Sequence, residues 1–113
     1  AASILSNQVI AVLDMGYSLL EDCGFTRAEA VRATGQLVMR NIENVLEAGC
    51  DGALTGPIER NDIETVKKHI ACMQNDDSDD VRLYKMLGTK LVNIAEKKNP
   101  DKDYTQMMEL LRG

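Results

Sequence analysis

The sequence predicts an all-α fold of about five helices, two of them long and at the N-terminus. Apolar residues recur at spacings of three and four along most of the chain, a pattern typical of amphipathic helices. No segment shows the strict alternation of apolar and polar residues that a half-buried strand requires. At 113 residues the chain is expected to form a single helical domain, residues 1–113, around one core.

The first predicted helix runs from about Ser3 to Cys23, and Gly24 follows it as a typical terminating residue. Its apolar residues extend well beyond one narrow stripe, so we expect a central helix or an interface helix. They are Ile4, Leu5, Val9, Ile10, Val12, Leu13, Met15, Leu19 and Leu20.

The second predicted helix opens with a capping box made by Thr26 and Glu29, and it ends at Gly49. Gly16 and Gly35 lie inside the first two helical runs, where glycine costs about 1 kcal/mol relative to alanine. Close packing of helices is the expected reason for these two glycines.

A loop is predicted over residues 50–60, where two glycines and a proline exclude a long regular element. Asn61 and Glu64 predict a capping box for a third helix of about three turns. The apolar stripe of this helix consists of Ile63, Val66, Ile70 and Met73.

The polar segment 75–80 predicts a break before a fourth helix, which Asn99-Pro100 ends. This acidic segment does not match a calcium-binding loop, because no glutamate falls at the twelfth position from Asn75, Asp76 or Asp77. A short terminal helix follows. The apolar residues of the last two helices are Tyr84, Leu87, Leu91, Ile94, Tyr104, Met107, Met108 and Leu111.

Composition excludes several classes of protein. The net charge of -5 and the pI of about 4.8 argue against a nucleic-acid partner. No stretch approaches the roughly 20 apolar residues of a membrane span, and no signal peptide is evident, so a cytoplasmic protein is expected. Three separated cysteines and one histidine do not form a disulfide framework or a metal site.

The segment from Ala53 to Ile70 carries the most information, and it reads ALTGPIERNDIETVKKHI. It resembles the signature of a helical domain of unknown function (family 2520) that follows a Rossmann domain in NADP-dependent oxidoreductases. The opening residues, 1–7, are similar to the first helix of that family, and Tyr84 stands where a tyrosine begins a later helix. The chain starts at Ala1 within a helical pattern, so an upstream part is expected to be absent.

The resemblance implies a C-terminal domain of the 6-phosphogluconate dehydrogenase type, which forms a homodimer and walls the cleft for a small anionic substrate. NADP is expected in the missing N-terminal domain, because no GxGxxG motif follows a strand here. No cofactor or metal is therefore expected in this chain. Related hydroxyacid and ketopantoate enzymes carry a catalytic lysine four residues before an asparagine. Here Ser3 takes that place before Asn7, so no catalytic residue is assigned.

The predicted substrate site combines the loop Thr55–Pro57 with Arg60 and one face of the third helix. Asp62, Thr65 and His69 share that face, because they are spaced by three and by seven residues. The loop is expected to bring backbone amides towards the helix start, where Arg60 adds a donor for an anion. The complete set of predicted substrate-binding residues is Asn7, Thr55, Gly56, Pro57, Arg60, Asp62, Thr65 and His69.

The same residues allow purely structural roles. Asp62 can cap the helix, Thr65 can lie at the surface, and a lone histidine can serve packing. Asn7 can belong to a buried polar network or contact substrate. For the whole chain, the alternative to an oxidoreductase domain is a stand-alone helical module that binds another protein.

Overall fold

The computed structural model describes residues 1–73 and 79–113. These residues contain five α-helices and no strand, so the predicted all-α class is confirmed. The helices are α1 (Val9–Asp22), α2 (Arg27–Ala53), α3 (Ile63–Met73), α4 (Asp80–Lys98) and α5 (Thr105–Arg112), and a π-helical turn at Ile4–Gln8 precedes α1. Asn75, Asp76 and Asp77, on which the calcium-loop test rested, lie outside the described residues.

The chain divides into two compact units, which are described separately. Unit 1 comprises residues 1–42 and contains the π-helical turn, α1 and the first part of α2. Unit 2 comprises residues 43–113 and contains the rest of α2 with α3, α4 and α5.

The connection between α1 and α2 follows the predicted pattern. Gly24 adopts a φ of 104°, a left-handed conformation that glycine tolerates and that ends α1. The capping box is present: the Glu29 amide donates to Thr26 Oγ1, and the Thr26 amide donates to Glu29 Oε1, both at 3.1 Å. These bonds lower the pKa of Glu29. The Arg27 guanidinium contacts two carboxylates of α1. Its Nη1 lies 3.2 Å from Asp14 Oδ1, and its Nη2 lies 2.9 Å from Glu21 Oε1.

Unit 1 leaves many of its apolar side chains exposed. Leu5 is 79% exposed, Ile10 63% and Leu37 70%. An added Cβ at Gly16 or Gly35 would contact no other side chain or helix within 4 Å, so the expected close packing at these glycines is not found among residues 1–73 and 79–113. Other exposed apolar residues of this unit are Ile4, Val9, Val12, Phe25, Val31, Met39 and Ile42.

The regular part of the second helix ends at Gly49, as the sequence predicts, and a separate helical turn follows it. Gly49 has a φ of 76° and breaks the regular geometry, as a terminating glycine does. One more helical turn follows it, and α2 ends at Ala53, where a loop was expected. The amide of Leu54 closes this turn by donating to the carbonyl of Cys50 at 3.1 Å.

The core of unit 2 forms where α3, α4 and α5 meet. Gly88 of α4 allows close approach, because a Cβ there would lie 2.8 Å from Cδ2 of Leu111 in α5. The buried members of the core are Ile58, Val66, Ile70, Val92, Ala95, Tyr104, Met107 and Leu111. Ile58 belongs to the loop before α3, so this core holds the loop in place.

Candidate functional site

The loop before α3 is a compact turn held by its own backbone. The Arg60 amide donates to the Gly56 carbonyl at 3.0 Å, and the Asp62 amide donates to the Pro57 carbonyl at 2.8 Å. The Asn61 amide donates to the Ile58 carbonyl at 3.1 Å. The amides of Arg60, Asn61 and Asp62 are therefore used within the turn, whereas the role expected for the amides of the loop Thr55–Pro57 stays a prediction.

Asp62 caps α3, and the predicted capping box of Asn61 with Glu64 is wrong. The Asp62 carboxylate accepts hydrogen bonds from the Thr65 amide at 3.2 Å and from Thr65 Oγ1 at 2.7 Å. These bonds lower the pKa of Asp62, so the side chain stays charged near the positive end of α3. Asn61 has a φ of 61° and instead donates its side-chain amide to the Asp103 carbonyl at 2.8 Å.

A polar network braces the turn from the C-terminal side of the chain. The Tyr104 hydroxyl donates to the Glu59 carbonyl at 2.6 Å, and the Asn99 amide donates to Glu59 Oε1 at 3.0 Å. Lys98 Nζ donates to the Leu54 carbonyl at 2.7 Å and lies 3.8 Å from Glu59 Oε1. The hydrogen bond from Asn99 is the main cause of the lowered pKa of Glu59, and the positive charge of Lys98 lowers this pKa further.

Sequence reasoning missed this network. Asn99-Pro100 was interpreted only as a helix stop, and Tyr104 only as an apolar residue of the last helix. The partners are separated by about 40 residues along the chain, so no local pattern indicates their pairing. Their effect is to hold the backbone on which Arg60 and Asp62 stand.

Arg60 points its charge to solvent. Its side chain is exposed, and within the described residues its guanidinium forms no hydrogen bond or ion pair. The positive charges of Arg60 and Lys68 both help to lower the pKa of the Asp62 carboxyl group. Arg60 is therefore the residue of the turn that is best placed to bind an anionic group.

His69 lies on α3 beside a tyrosine of α4. Its Nδ1 is 3.2 Å from the Tyr84 hydroxyl, and the two rings meet edge to face with centroids 6.1 Å apart. His69 is exposed, whereas Tyr84 is half-buried against the core of unit 2. Burial raises the pKa of the Tyr84 hydroxyl. An exposed imidazole held by a neighbour suits a ligand contact better than a packing role.

The predicted site residues fall into separate places. Seven lie in unit 2, and six of these belong to the turn or to the first helical turn of α3, with His69 one turn further along. Asn7 lies in unit 1, exposed within the π-helical turn, so it is not part of a buried polar network in the described chain. Thr55 is exposed, and Gly56, Pro57, Asp62 and Thr65 are partly buried.

The model of one protein family, Domain of unknown function (DUF2520), matches residues 1–91. The chain belongs to the DUF2520 family. The comparisons with curated proteins and with solved structures gave no match. The matched range includes every predicted site residue and Tyr84, and it ends before Asn99 and Tyr104 of the bracing network.

The DUF2520 domain also has an open cleft between α4 and α5, with a volume of about 760 Å³. Charges of both signs line it, among them Glu96, Lys102 and Arg112. None of the predicted site residues borders this cleft.

Across residues 1–73 and 79–113, no group of three or more histidine, cysteine or acidic side chains is placed to hold a metal ion. No helix in that part of the DUF2520 domain has both the length and the apolar character needed to cross a membrane. All three cysteines are free and exposed.

Proposed function

We propose that this DUF2520 domain is the C-terminal substrate-binding and dimerisation domain of an NAD(P)-dependent oxidoreductase and is inactive in isolation. The observation that carries the proposal is the exposed apolar surface of unit 1. Large exposed apolar patches on soluble proteins mark interaction sites, because their burial releases water.

A second copy of the chain is the proposed occupant of this surface. The segment from Ala1 to Leu13 contains no charged residue, so two copies can pack together without bringing like charges into contact. Symmetric homodimers use the same patch on both subunits, which requires a self-compatible surface. The open space above Gly16 and Gly35 leaves room for close approach of another helix.

The substrate-binding part of the proposal rests on Arg60 and His69. Both side chains are exposed, the Arg60 guanidinium forms no hydrogen bond or ion pair with the described residues, and His69 uses only Nδ1 in its hydrogen bond with Tyr84. A guanidinium and an imidazole can together bind an oxyanion such as a carboxylate. Asp62 and Thr65 form the N-terminal cap of α3. Their contact with substrate stays a prediction.

The cofactor is assigned to a dinucleotide-binding domain that precedes Ala1 in the parent protein. This assignment follows from the family resemblance and from the sequence, which lacks a strand with a glycine-rich phosphate loop. A cytoplasmic location is part of the proposal.

The decisive experiment compares this chain with a longer one. Calorimetry should show no saturable heat when NADPH is added to this chain, and saturable binding when the sequence encoded before Ala1 is joined to it. Micromolar binding by this chain alone would contradict the proposal. Absence of an upstream strand-GxGxxG-helix unit would also contradict it, and would favour the stand-alone interaction module.

A further inference from the structure

His69 and Tyr84 form a pair of titratable side chains whose contact the family signature does not explain. The signature supplies the histidine, but the hydrogen bond to Tyr84 is visible only in the structure. Tyr84 packs on the core of unit 2, so its hydroxyl occupies a fixed position, whereas the imidazole is exposed. The tyrosine is thus the anchor, and the histidine is the group that it orients.

The direction of this hydrogen bond decides what His69 offers to a ligand. If Nδ1–H donated to the tyrosine oxygen, the hydroxyl proton would be left to solvent, because no described residue accepts it. If the hydroxyl donates to Nδ1, both groups are satisfied, and the imidazole proton resides on Nε2. Because burial raises the pKa of Tyr84, its hydroxyl keeps the proton that it donates.

We propose that Tyr84 is a positioning residue, which fixes neutral His69 as the Nε2–H tautomer and makes it a hydrogen-bond donor to a carboxylate oxygen of the ligand. This deepens the proposed function, on which the ligand class rests. Lys68 adjoins His69 in α3 and Arg60 precedes the helix; both positive charges act on Asp62, and they favour an anionic ligand.

The tautomer can be measured directly, because the chain contains one histidine. Long-range proton-nitrogen NMR should be recorded about two pH units above the ordinary histidine pKa of about 6.5. We expect an unprotonated Nδ1, a protonated Nε2, and a Nδ1 shift that changes in Tyr84→Phe towards that of a free neutral imidazole. Tyr17→Phe removes a hydroxyl from α1 and should leave the spectrum of His69 unchanged.

Two results would overturn the positioning role. One is a proton on Nδ1 in the unmodified chain, and the other is an identical Nδ1 shift in Tyr84→Phe. If Tyr84→Phe does not fold, the protonation state in the unmodified chain still decides. None of these results depends on dimerisation or on NADPH, so they are distinguishable from failure of the proposed function.

The ligand class is tested with acetate as the probe and sodium chloride at equal ionic strength as the control. Acetate should shift the Nε2 proton of His69 saturably, and Tyr84→Phe should weaken the apparent affinity about two- to tenfold, the range for one neutral hydrogen bond. A shift that matches chloride would overturn the carboxylate assignment.

Discussion

The hydroxyl of Tyr104 donates a 2.6 Å hydrogen bond to the backbone carbonyl of Glu59. This bond joins the end of the chain to the turn that carries Arg60. Tyr104 lies outside the range matched by the family model, whereas Glu59 lies inside it. The C-terminal residues of this chain therefore stabilise a turn that belongs to the family signature.

Tyr104→Phe is expected to destabilise unit 2 by about 1 kcal/mol, because it removes one hydrogen bond and keeps the ring, which is only 4% exposed. Tyr104→Ala should cost about 3 kcal/mol or more, because it also leaves a cavity. Urea denaturation measures both effects, and Tyr17→Phe serves as the matched control. A Tyr104→Phe variant as stable as the unmodified chain would contradict the bracing role.

Asp62→Ala is expected to lower the Tm by a few degrees, because α3 loses its cap. Glu64→Ala, at the position that the sequence pattern favoured, should leave the Tm nearly unchanged, since its side chain is exposed. Asp62→Ser should restore much of the loss, because serine also caps helices. Equal effects of Asp62→Ala and Glu64→Ala would contradict the assignment of the cap.

The Asp62 cap should also weaken at acidic pH. Its folded pKa lies below the ordinary value of 3.8, so its stabilising contribution is fully present well above that value and is lost as pH falls through the folded pKa. The stability difference between the unmodified chain and Asp62→Asn should therefore shrink on acidification below about pH 4. Urea denaturation at several pH values measures this stability difference. A difference that grows on acidification would contradict the stabilising role of the charged Asp62 carboxylate.

His69→Ala and Arg60→Ala are expected to change the Tm by no more than about a degree or two, because exposed side chains contribute little to stability. In a longer protein that includes the upstream domain, both changes should lower kcat/KM for the substrate. Thermal melting of this chain tests the first statement. A drop of several degrees in His69→Ala would show that the histidine serves stability.

Sequence periodicity predicted the helices well, because each apolar stripe and each local cap lies within a few neighbouring residues. The Thr26 and Glu29 box and the left-handed Gly24 are examples. The predictions failed where a distant residue decides the outcome. Asn61 was expected to cap α3, but its amide bonds to Asp103, and this leaves the cap to Asp62. No local pattern contains that information.

The candidate site was predicted in part. Spacing along α3 predicts that Asp62, Thr65 and His69 share one face, and the structure shows Asp62 and Thr65 in contact. The spacing could not show that Asp62 and Thr65 bond to each other, or that the turn uses its own amides. Tyr84 was not predicted as a partner of His69, because packing of α4 on α3 decides which side chains meet.

Light scattering on the unmodified chain tests the central claim most directly, because dimerisation is the part of the proposed function that this domain can display alone. We expect a mass near twice 12.5 kDa at tens of micromolar. Leu5→Lys or Ile10→Lys should return the mass towards that of the monomer, whereas Met86→Lys, at an exposed position of α4, should not. A clean monomer of 12.5 kDa for the unmodified chain would contradict the account.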